Sequence, residues 1–281
     1  MTATSRITTT IGVKTGALNE EKAKAIQREV AKAAKSFEDF TPEQEYYIGR
    51  AVGAMILSRY KPYESPEANL YLNTLGQSLA QFSELPETFN GYHFLILDSE
   101  DINAFSAPGG LIFVSRGLIR CCEHEDALAA VLAHEIGHVQ FKHGLQAIRK
   151  SRITSAITTL AIKGAKGLGS EKLAALTETF EGSIRDITST LVNSGYSRSF
   201  EKSADKAAVS ILDRTGYNPQ GLIEMLKIMQ KKLKPGGLDF AKTHPSPSFR
   251  IASLREYMVG YPRVEKPKAR QDRFLRALAG V

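Results

Sequence analysis

The sequence lacks any apolar run long enough to cross a membrane, which takes about 20 residues. The best candidate, residues 153–162, is short and is followed by Lys163. The first residues, MTATSRITTTIGVKTG, lack the apolar centre of a secretory signal peptide. We therefore expect no transmembrane helix, and a protein that either is cytoplasmic or has a leader that is not part of this sequence.

Cysteine is scarce, and the two cysteines present, Cys121 and Cys122, are neighbours. A disulfide between adjacent residues is strained, and the sequence has no C-x-x-C pattern that would indicate a cysteine-based zinc or redox site. We interpret both cysteines as packing residues near the start of a helix.

A modest excess of positive charge, +7 in total, is densest over residues 263–276. We interpret this segment as a solvated terminal helix or a frayed end; the alternative is a peripheral membrane contact, because a basic tail can touch anionic lipid. No nucleic-acid-binding motif accompanies the charge, so a nucleic-acid partner is not expected.

The length of 281 residues allows one large domain or two small ones. We predict a disordered segment at 1–17, one domain at 18–262 and a basic tail at 263–281. The pattern predicts an α+β fold that is mostly helical, with a small antiparallel or mixed sheet. Strands are predicted at 92–97 and 111–115, a turn-rich loop at 103–110, and helices at 18–36, 42–60, 65–82, 125–143, 151–197 (two), 200–215, 219–233 and 249–259.

The most informative motif is His134-Glu135-Ile136-Gly137-His138, inside an apolar helical segment. Residues four apart share one face of a helix, so both imidazoles can bind one metal ion. Glu135 can take a proton from the attacking water without being a ligand. This spacing is that of H-E-x-x-H metallopeptidases. The alternative, two histidines that only cap or pack, is weakened because buried polar groups without partners are costly.

A catalytic zinc ion also needs a third protein ligand and an open position. No histidine occurs between His143 and His244, and His143 lies off the ligand face, so we interpret it as structural. Glu201 is the better candidate. Asp205, four residues later, can accept an N–H from a motif histidine and orient its ring. On the pattern alone, an ordinary charged surface helix remains the alternative.

Several further motifs follow in a fixed order: TPEQEYYIGRAV, NAFSAPGG, LIFVSRGLI, EDALAAVLAHEIGHVQFKHG, YSRSFEKSADKAAV and THPSPSFRI. On these motifs, residues 40–258 resemble the HtpX-like and CAAX-prenyl-protease zinc metallopeptidases, family forty-eight of the gluzincin type. The soluble bacterial envelope branch is the most similar. The resemblance implies a zincin-like domain with the small sheet beside the active-site helix, one Zn²⁺ per chain, and a location in the periplasm or cell envelope.

The same resemblance implies roles for individual residues. His134, His138 and Glu201 correspond to the zinc ligands, Glu135 to the general base, and Asp205 to the residue that orients a ligand.

The segment that contains Asn103, Gly109 and Gly110 leads, in relatives, into an edge strand beside the cleft. A free edge can bind an extended substrate by strand addition, so these three residues are candidates for substrate binding. A tight turn at residues 108–110 is the alternative, and both interpretations can hold together.

His244 and Arg250 lie in the last motif. His244 is a candidate catalytic residue that could stabilise the oxyanion, close the resting site as an extra zinc ligand, or simply cap the next helix. Arg250 could contact the same oxyanion or form a structural ion pair. Residues 246–249 depart from the family pattern, so all these roles stay open.

The resulting hypothesis is a zinc endopeptidase that hydrolyses internal peptide bonds of unfolded or damaged envelope proteins. Two alternatives remain: a zinc-containing chaperone-like or binding protein with a closed site, and a metal-free helical adaptor. Residues 151–197 are a candidate for a helical lid over the site.

Overall fold

A computed structural model describes residues 40–146, 182, 184–232, 244, 246–259, 261, 264–265 and 267–281. The chain divides into two compact units, and residues 42–145 with 187–281 form the unit that carries every candidate site residue. The other unit, residues 1–41 and 146–186, lies almost entirely outside the described residues. So do the predicted disordered segment 1–17, the helix 18–36, the apolar run 153–162 and most of the candidate lid.

The larger unit is mostly helical, as predicted. Ser65 caps the second helix by accepting a hydrogen bond from the backbone N–H of Ala68 at 3.3 Å, which matches its predicted start. No helix among the described residues has both the length and the apolar character needed to cross a membrane. Among the described residues, the α-helices with defined bounds are α1 (Pro42–Arg59), α2 (Pro66–Ala80), α3 (Arg116–Ile119), α4 (Glu125–Gln140), α5 (Arg198–Arg214), α6 (Gln220–Lys232), α7 (Pro247–Tyr257) and α8 (Lys268–Ala277), and a π-helix, Thr190–Ser194, precedes α5.

A small mixed sheet of three strands, in the order β1-β3-β2, packs beside these helices. Strand β1 (His93–Leu97) pairs in parallel with β3 (Leu111–Ser115), and β2 (Ala104–Ala107) pairs antiparallel with β3. The strands β1 and β3 are where the sequence predicts them. Strand β2 lies in the segment that the sequence predicts as a loop. The prediction misses this strand because its four small or aromatic residues, which are all buried, show no alternation of apolar and polar side chains.

A tight turn joins β2 to β3. It contains a 3₁₀ helix, Pro108–Gly110, in which Gly109 and Gly110 have φ angles of 76° and 95°. A Cβ atom at Gly109 would lie 2.8 Å from the backbone of Tyr46 in α1. Glycine at 109 therefore allows both the left-handed backbone and the close approach of the first helix.

The motif helix α4 begins where the sequence predicts and ends earlier. His124 caps it through Nδ1, which accepts from the N–H of Ala127 at 3.1 Å. The prediction that this helix runs to residue 143 and breaks at Gly144 is wrong, since α4 ends at Gln140 and Lys142 has a positive φ of 54°. The side chain of Lys142 forms an ion pair with Glu45 of α1.

Helix α5 packs along α4 at an unusually short distance. Ser197 caps it by accepting from the N–H of Phe200 at 3.3 Å. The approach is close because residue 137 has no side chain: a Cβ atom there would lie 2.9 Å from the carbonyl oxygen of Ala204. The middle of the H-E-x-x-H motif therefore faces α5 directly.

The last helix, α8, packs against this unit through Phe274 and Leu278, which are both buried. Arg273 pairs with the fully buried carboxylate of Glu125, at the first residue of α4. Arg270 contacts Asp126, the next residue, at 3.2 Å. Two positive charges of the segment predicted as a basic tail are thus used inside the fold.

The two cysteines are free thiols in the described structure, and both are buried in the apolar core. They pack just before α4, as the sequence predicts. Burial raises the pKa of the Cys122 thiol, which makes it a poor nucleophile at neutral pH.

Candidate metal centre

Four buried side chains converge between α4 and α5. They are His134, His138, Glu201 and His244, and each offers one ligand atom such that all four atoms lie within 4.8 Å of one another. The Nε2 atoms of His134 and His138 are 3.1 Å apart. Two helices and the segment before α7 thus contribute to one cluster.

The spacing of these atoms fits a metal ion. Tetrahedral zinc binds nitrogen at about 2.0 to 2.1 Å, which places neighbouring ligand atoms about 3.3 to 3.4 Å apart. The observed separations are close to this spacing, 3.5 Å from His134 Nε2 to Glu201 Oε2 and 3.3 Å from His138 Nε2 to Glu201 Oε1, although they end on different oxygens of the carboxylate. Among the described residues, Glu201 Oε2 is a buried oxygen without a hydrogen-bond partner. Two imidazoles and one carboxylate are also the donor types that zinc prefers.

His134 is oriented from behind by Asp205 and Arg250. Its Nδ1 atom lies 3.0 Å from Asp205 Oδ1, so Nε2 is left to face the cluster. Arg250 binds the same carboxylate through two nitrogens, at 3.0 and 2.5 Å. Asp205 therefore has the predicted contact with a motif histidine. Arg250 lies in an ion pair behind the ring, which was the alternative to an oxyanion contact.

The charged side chains of the cluster shift one another's pKa values. Burial opposes ionisation of Asp205, but Arg250 and His134 outweigh it and lower the pKa of the Asp205 carboxyl. Burial and Arg250 disfavour a charged His134, yet the adjacent carboxylates of Asp205 and Glu201 raise its pKa to about 9. Burial also opposes the charge on Glu201, and His244 with the two motif histidines lowers its pKa well below the usual value.

His138 has a different partner, which sequence reasoning missed. Its Nδ1 atom lies 2.9 Å from Nδ1 of His143, and the His143 ring stacks on Phe200 of α5 at a centroid distance of 4.3 Å. Burial lowers the pKa of His138, and it lowers the pKa of His143 to about 3. His143 reaches this place because the chain leaves helical geometry at Lys142, which a helical projection of the sequence does not anticipate.

Glu135 is buried at the same site and is not among the four clustered ligands. Within the described part of the chain, its Oε1 atom has no hydrogen-bond partner, and the same is true of the hydroxyl oxygens of Tyr196 and Ser106. Tyr196 stacks on His138 at a centroid distance of 4.3 Å. A buried carboxylate oxygen with a free lone pair can accept a proton or a hydrogen bond from a molecule that enters the site.

A small pocket opens between β2 and the end of α4, and its lining includes Ser106, Gly109 and His138. Of the three predicted substrate-binding residues, only Gly109 lines this pocket. Asn103 instead holds the start of β2, where its N–H donates to Ser115 Oγ at 3.0 Å. Gly110 approaches Thr88 on the other side of the turn.

His244 joins the cluster through Nδ1, which lies 2.8 Å from Glu201 Oε1. Its ring centroid is 5.4 Å from that of His134 and 5.6 Å from that of His138. This position places His244 inside the cluster, at hydrogen-bonding distance from Glu201.

Paired helical imidazoles, a carboxylate from a second helix and an adjacent free glutamate are the arrangement of the H-E-x-x-H metallopeptidases. The sequence profile described as "Peptidase family M48" matches residues 66–258, and the chain belongs to this family. Its members are metal-dependent peptidases. The predicted family, and with it the class of metallopeptidase and the α+β fold with a small sheet, are thereby confirmed.

Curated relatives carry peptidase names. The beta-barrel assembly-enhancing protease of Escherichia coli (strain K12) is 28% identical over 217 residues, 75% of this chain and 42% of that protein. The mitochondrial metalloendopeptidase OMA1 of Schizosaccharomyces pombe is 32% identical over 162 residues, 56% of this chain and 43% of that protein. The metalloprotease YcaL of E. coli is 24% identical over 184 residues, 64% of this chain and 69% of that protein. The chain thus spans less than half the length of the first two relatives.

Proposed function

We propose that the chain is a zinc-dependent endopeptidase that holds one Zn²⁺ and hydrolyses internal peptide bonds. One observation carries this proposal: Glu135, with a free buried oxygen, accompanies a buried cluster of candidate ligand atoms that lie within 4.8 Å of one another. His134, His138 and Glu201 would hold the ion. When bound, the ion supplies Lewis-acid polarisation of the scissile carbonyl.

The protein groups account for proton transfer and for positioning. Glu135 accepts a proton from the attacking water and then delivers it to the nitrogen of the leaving amine, as a general base followed by a general acid. Asp205 keeps His134 in one orientation, with Nε2 toward the ion. Burial around the site strengthens these interactions because little water screens them.

The side chain of His244 lies within the cluster of candidate ligand atoms and contacts Glu201, so it could serve as a fourth ligand. A catalytic zinc ion needs one position free for substrate and water. We therefore interpret this arrangement as a closed, resting one, in which His244 must leave before a peptide can bind. The same contact is the specific support for the alternative function, a zinc-containing binding or chaperone-like protein whose site stays closed.

An extended peptide is the substrate form that the sheet can accommodate. Strand β2 is an outer strand of the sheet and packs against α4. All four of its residues are buried, and Thr190–Ser194 contacts it, so a peptide added along it beside the motif helix requires this cover to move away. Gly109 and the pocket next to His138 lie at the end of this strand. Asn103 and Gly110 then act on the substrate indirectly, by fixing the two ends of β2.

Unfolded or damaged envelope proteins are the proposed substrates, and the periplasm or cell envelope is the proposed location. The support is the family resemblance, together with the name of the E. coli relative, which refers to beta-barrel assembly. Peripheral membrane contact through residues 263–281 remains a proposal. Arg270 and Arg273 are engaged in ion pairs within the fold, and among the described residues of this segment Lys268 and Arg276 are exposed cations that could make such a contact.

The first test replaces the general base. Glu135→Gln keeps the shape of the side chain and removes its basicity, so we expect bound zinc to be retained and casein hydrolysis to fall by roughly 10²- to 10⁴-fold. Glu123→Gln, the same change at an exposed position before α4, is the matched control and should keep the activity of the parent. Casein cleavage by Glu135→Gln at the parental rate would disprove the mechanism. A purified parent without bound metal would favour the adaptor hypothesis.

A second test separates the roles of His244. If it closes the site, His244→Ala raises basal casein hydrolysis while zinc stays bound to the other three ligands. If it stabilises the oxyanion, the same change lowers hydrolysis. Zinc binding without any turnover in either protein would favour the binding or chaperone-like function.

A further inference from the structure

The His143 side chain is placed where it can determine how His138 presents its nitrogen atoms. The two Nδ1 atoms are 2.9 Å apart. On its other side, His143 Nε2 lies 3.1 Å from the hydroxyl oxygen of Ser203. The Ser203 hydroxyl in turn lies 2.8 Å from the backbone carbonyl oxygen of Phe200. These contacts form a continuous chain from a metal ligand to the backbone of α5.

Only one assignment of protons satisfies every contact in this chain once His138 is a ligand. A nitrogen that binds a metal ion must have a free lone pair, so the proton of neutral His138 is on Nδ1. That Nδ1–H donates to Nδ1 of His143, which must then carry its own proton on Nε2. His143 Nε2–H donates to Ser203 Oγ, and the Ser203 hydroxyl donates to the carbonyl oxygen of Phe200.

We propose that His143 is a positioning residue for the metal site: as a neutral acceptor anchored by Ser203, it holds His138 in the tautomer and ring orientation that direct Nε2 at the ion. The proposal rests on the metal site of the proposed function. It assigns a role to a residue that the sequence pattern identifies only as structural.

The geometry around His143 supports positioning over simple packing. Its ring is nearly parallel to that of Phe200, with an interplanar angle of 7°, so the stacking fixes the ring plane and the contacts with His138 and Ser203 fix its rotation. The other motif histidine has a charged partner, Asp205, whose charge is balanced by Arg250. A second buried carboxylate near Glu201 would lack such a counter-ion and would be costly, whereas a neutral imidazole acceptor adds no charge.

The test uses two substitutions of nearly equal shape. His143→Asn keeps an acceptor, Oδ1, near the place of the original Nδ1, whereas His143→Leu removes it. We expect the Leu variant to bind zinc roughly 10- to 100-fold more weakly than the parent, and the Asn variant to recover most of that loss. Zinc affinity is measured by competition with a chromophoric chelator, and cobalt-loaded protein gives an absorption spectrum that reports ligand geometry. Ser203→Ala removes the hydrogen-bond partner of His143 Nε2, so this variant should bind zinc several-fold more weakly than the parent.

A direct measurement does not depend on whether the variants fold. Nitrogen-15 NMR of the zinc-loaded parent should show a proton on Nδ1 of His138 and none on Nδ1 of His143. The opposite tautomer at His143, or a Leu variant with the parental zinc affinity and cobalt spectrum, would overturn the positioning role while leaving the proposed function intact. A parent that binds no zinc would instead defeat the proposed function, and this inference with it.

Discussion

The close contact between α4 and α5 at Gly137 yields a quantitative prediction about zinc binding. In Gly137→Ala, the new Cβ atom would lie 2.9 Å from the carbonyl oxygen of Ala204 and 3.1 Å from the Cβ atom of Ala207. Ordinary contact begins near 3.4 Å, so the helices must separate by about 0.5 Å, which exceeds the tolerance of about 0.2 Å in zinc–ligand distances. Because Glu201 is on α5 and both motif histidines are on α4, that separation moves the ligands apart.

Two energies oppose each other in this variant. Overpacking of a tight interface costs about 1 to 3 kcal/mol, and replacing glycine with alanine inside a helix returns about 1 kcal/mol. We therefore expect a net loss of about 0 to 2 kcal/mol in the free energy of unfolding, which lowers Tm by up to about 8 °C for a domain of this size. Zinc affinity should fall more clearly, by about tenfold or more.

Gly221→Ala is the matched control. A Cβ atom there would lie 2.7 Å from the carbonyl oxygen of Asp126, so it strains the same helix α4 at its other end, far from the ligands. Calorimetry of the metal-free proteins measures the change in stability, and competition titrations measure the change in zinc affinity. If Gly137→Ala loses stability like Gly221→Ala yet keeps its zinc affinity within about threefold of the parent, helix spacing does not set the ligand geometry.

Two further predictions concern the charged groups. Arg273→Ala leaves the buried carboxylate of Glu125 without its cation, so we expect chemical denaturation to show a loss of about 1 to 3 kcal/mol. The exposed Arg276→Ala on the same helix should change little, and equal losses would contradict the pairing. In the metal-free protein the pKa of His134 is raised to about 9, so its stabilising charge is fully present below pH 6.5 and is lost as pH rises through 9. Zinc displaces this proton, so zinc affinity should rise with pH over that window, and a flat titration would refute the shift.

The sequence was sufficient to predict the part of the site that depends on helical spacing. His134 and His138 share one face of α4 because they are four residues apart, and the structure brings Glu201 to them from α5. The assignment of Glu201 depended on the family resemblance, since a charged residue near the start of a helix is common. No periodicity shows that α5 approaches α4 closely enough, because that approach depends on Gly137.

Two features could not be predicted because they depend on local departures from regular structure. Strand β2 is buried on both faces and has four residues, which gives no alternating pattern. His143 was interpreted as lying off the ligand face because the helix was assumed to continue through it. The left-handed backbone at Lys142 turns the chain back, and no glycine or asparagine at that position signals the turn.

The helix that carries both imidazoles is restrained at each end, by the arginines of α8 at Glu125 and Asp126, and by the ion pair between Lys142 and Glu45. Such a helix opens only when most of the core opens with it. Loss and reloading of the metal ion should therefore proceed on a preorganised scaffold, without the coupled folding that governs small zinc-finger domains. Amide hydrogen exchange along α4 should therefore already be slow in the metal-free protein, at the rate of global opening, and slower still in the loaded protein.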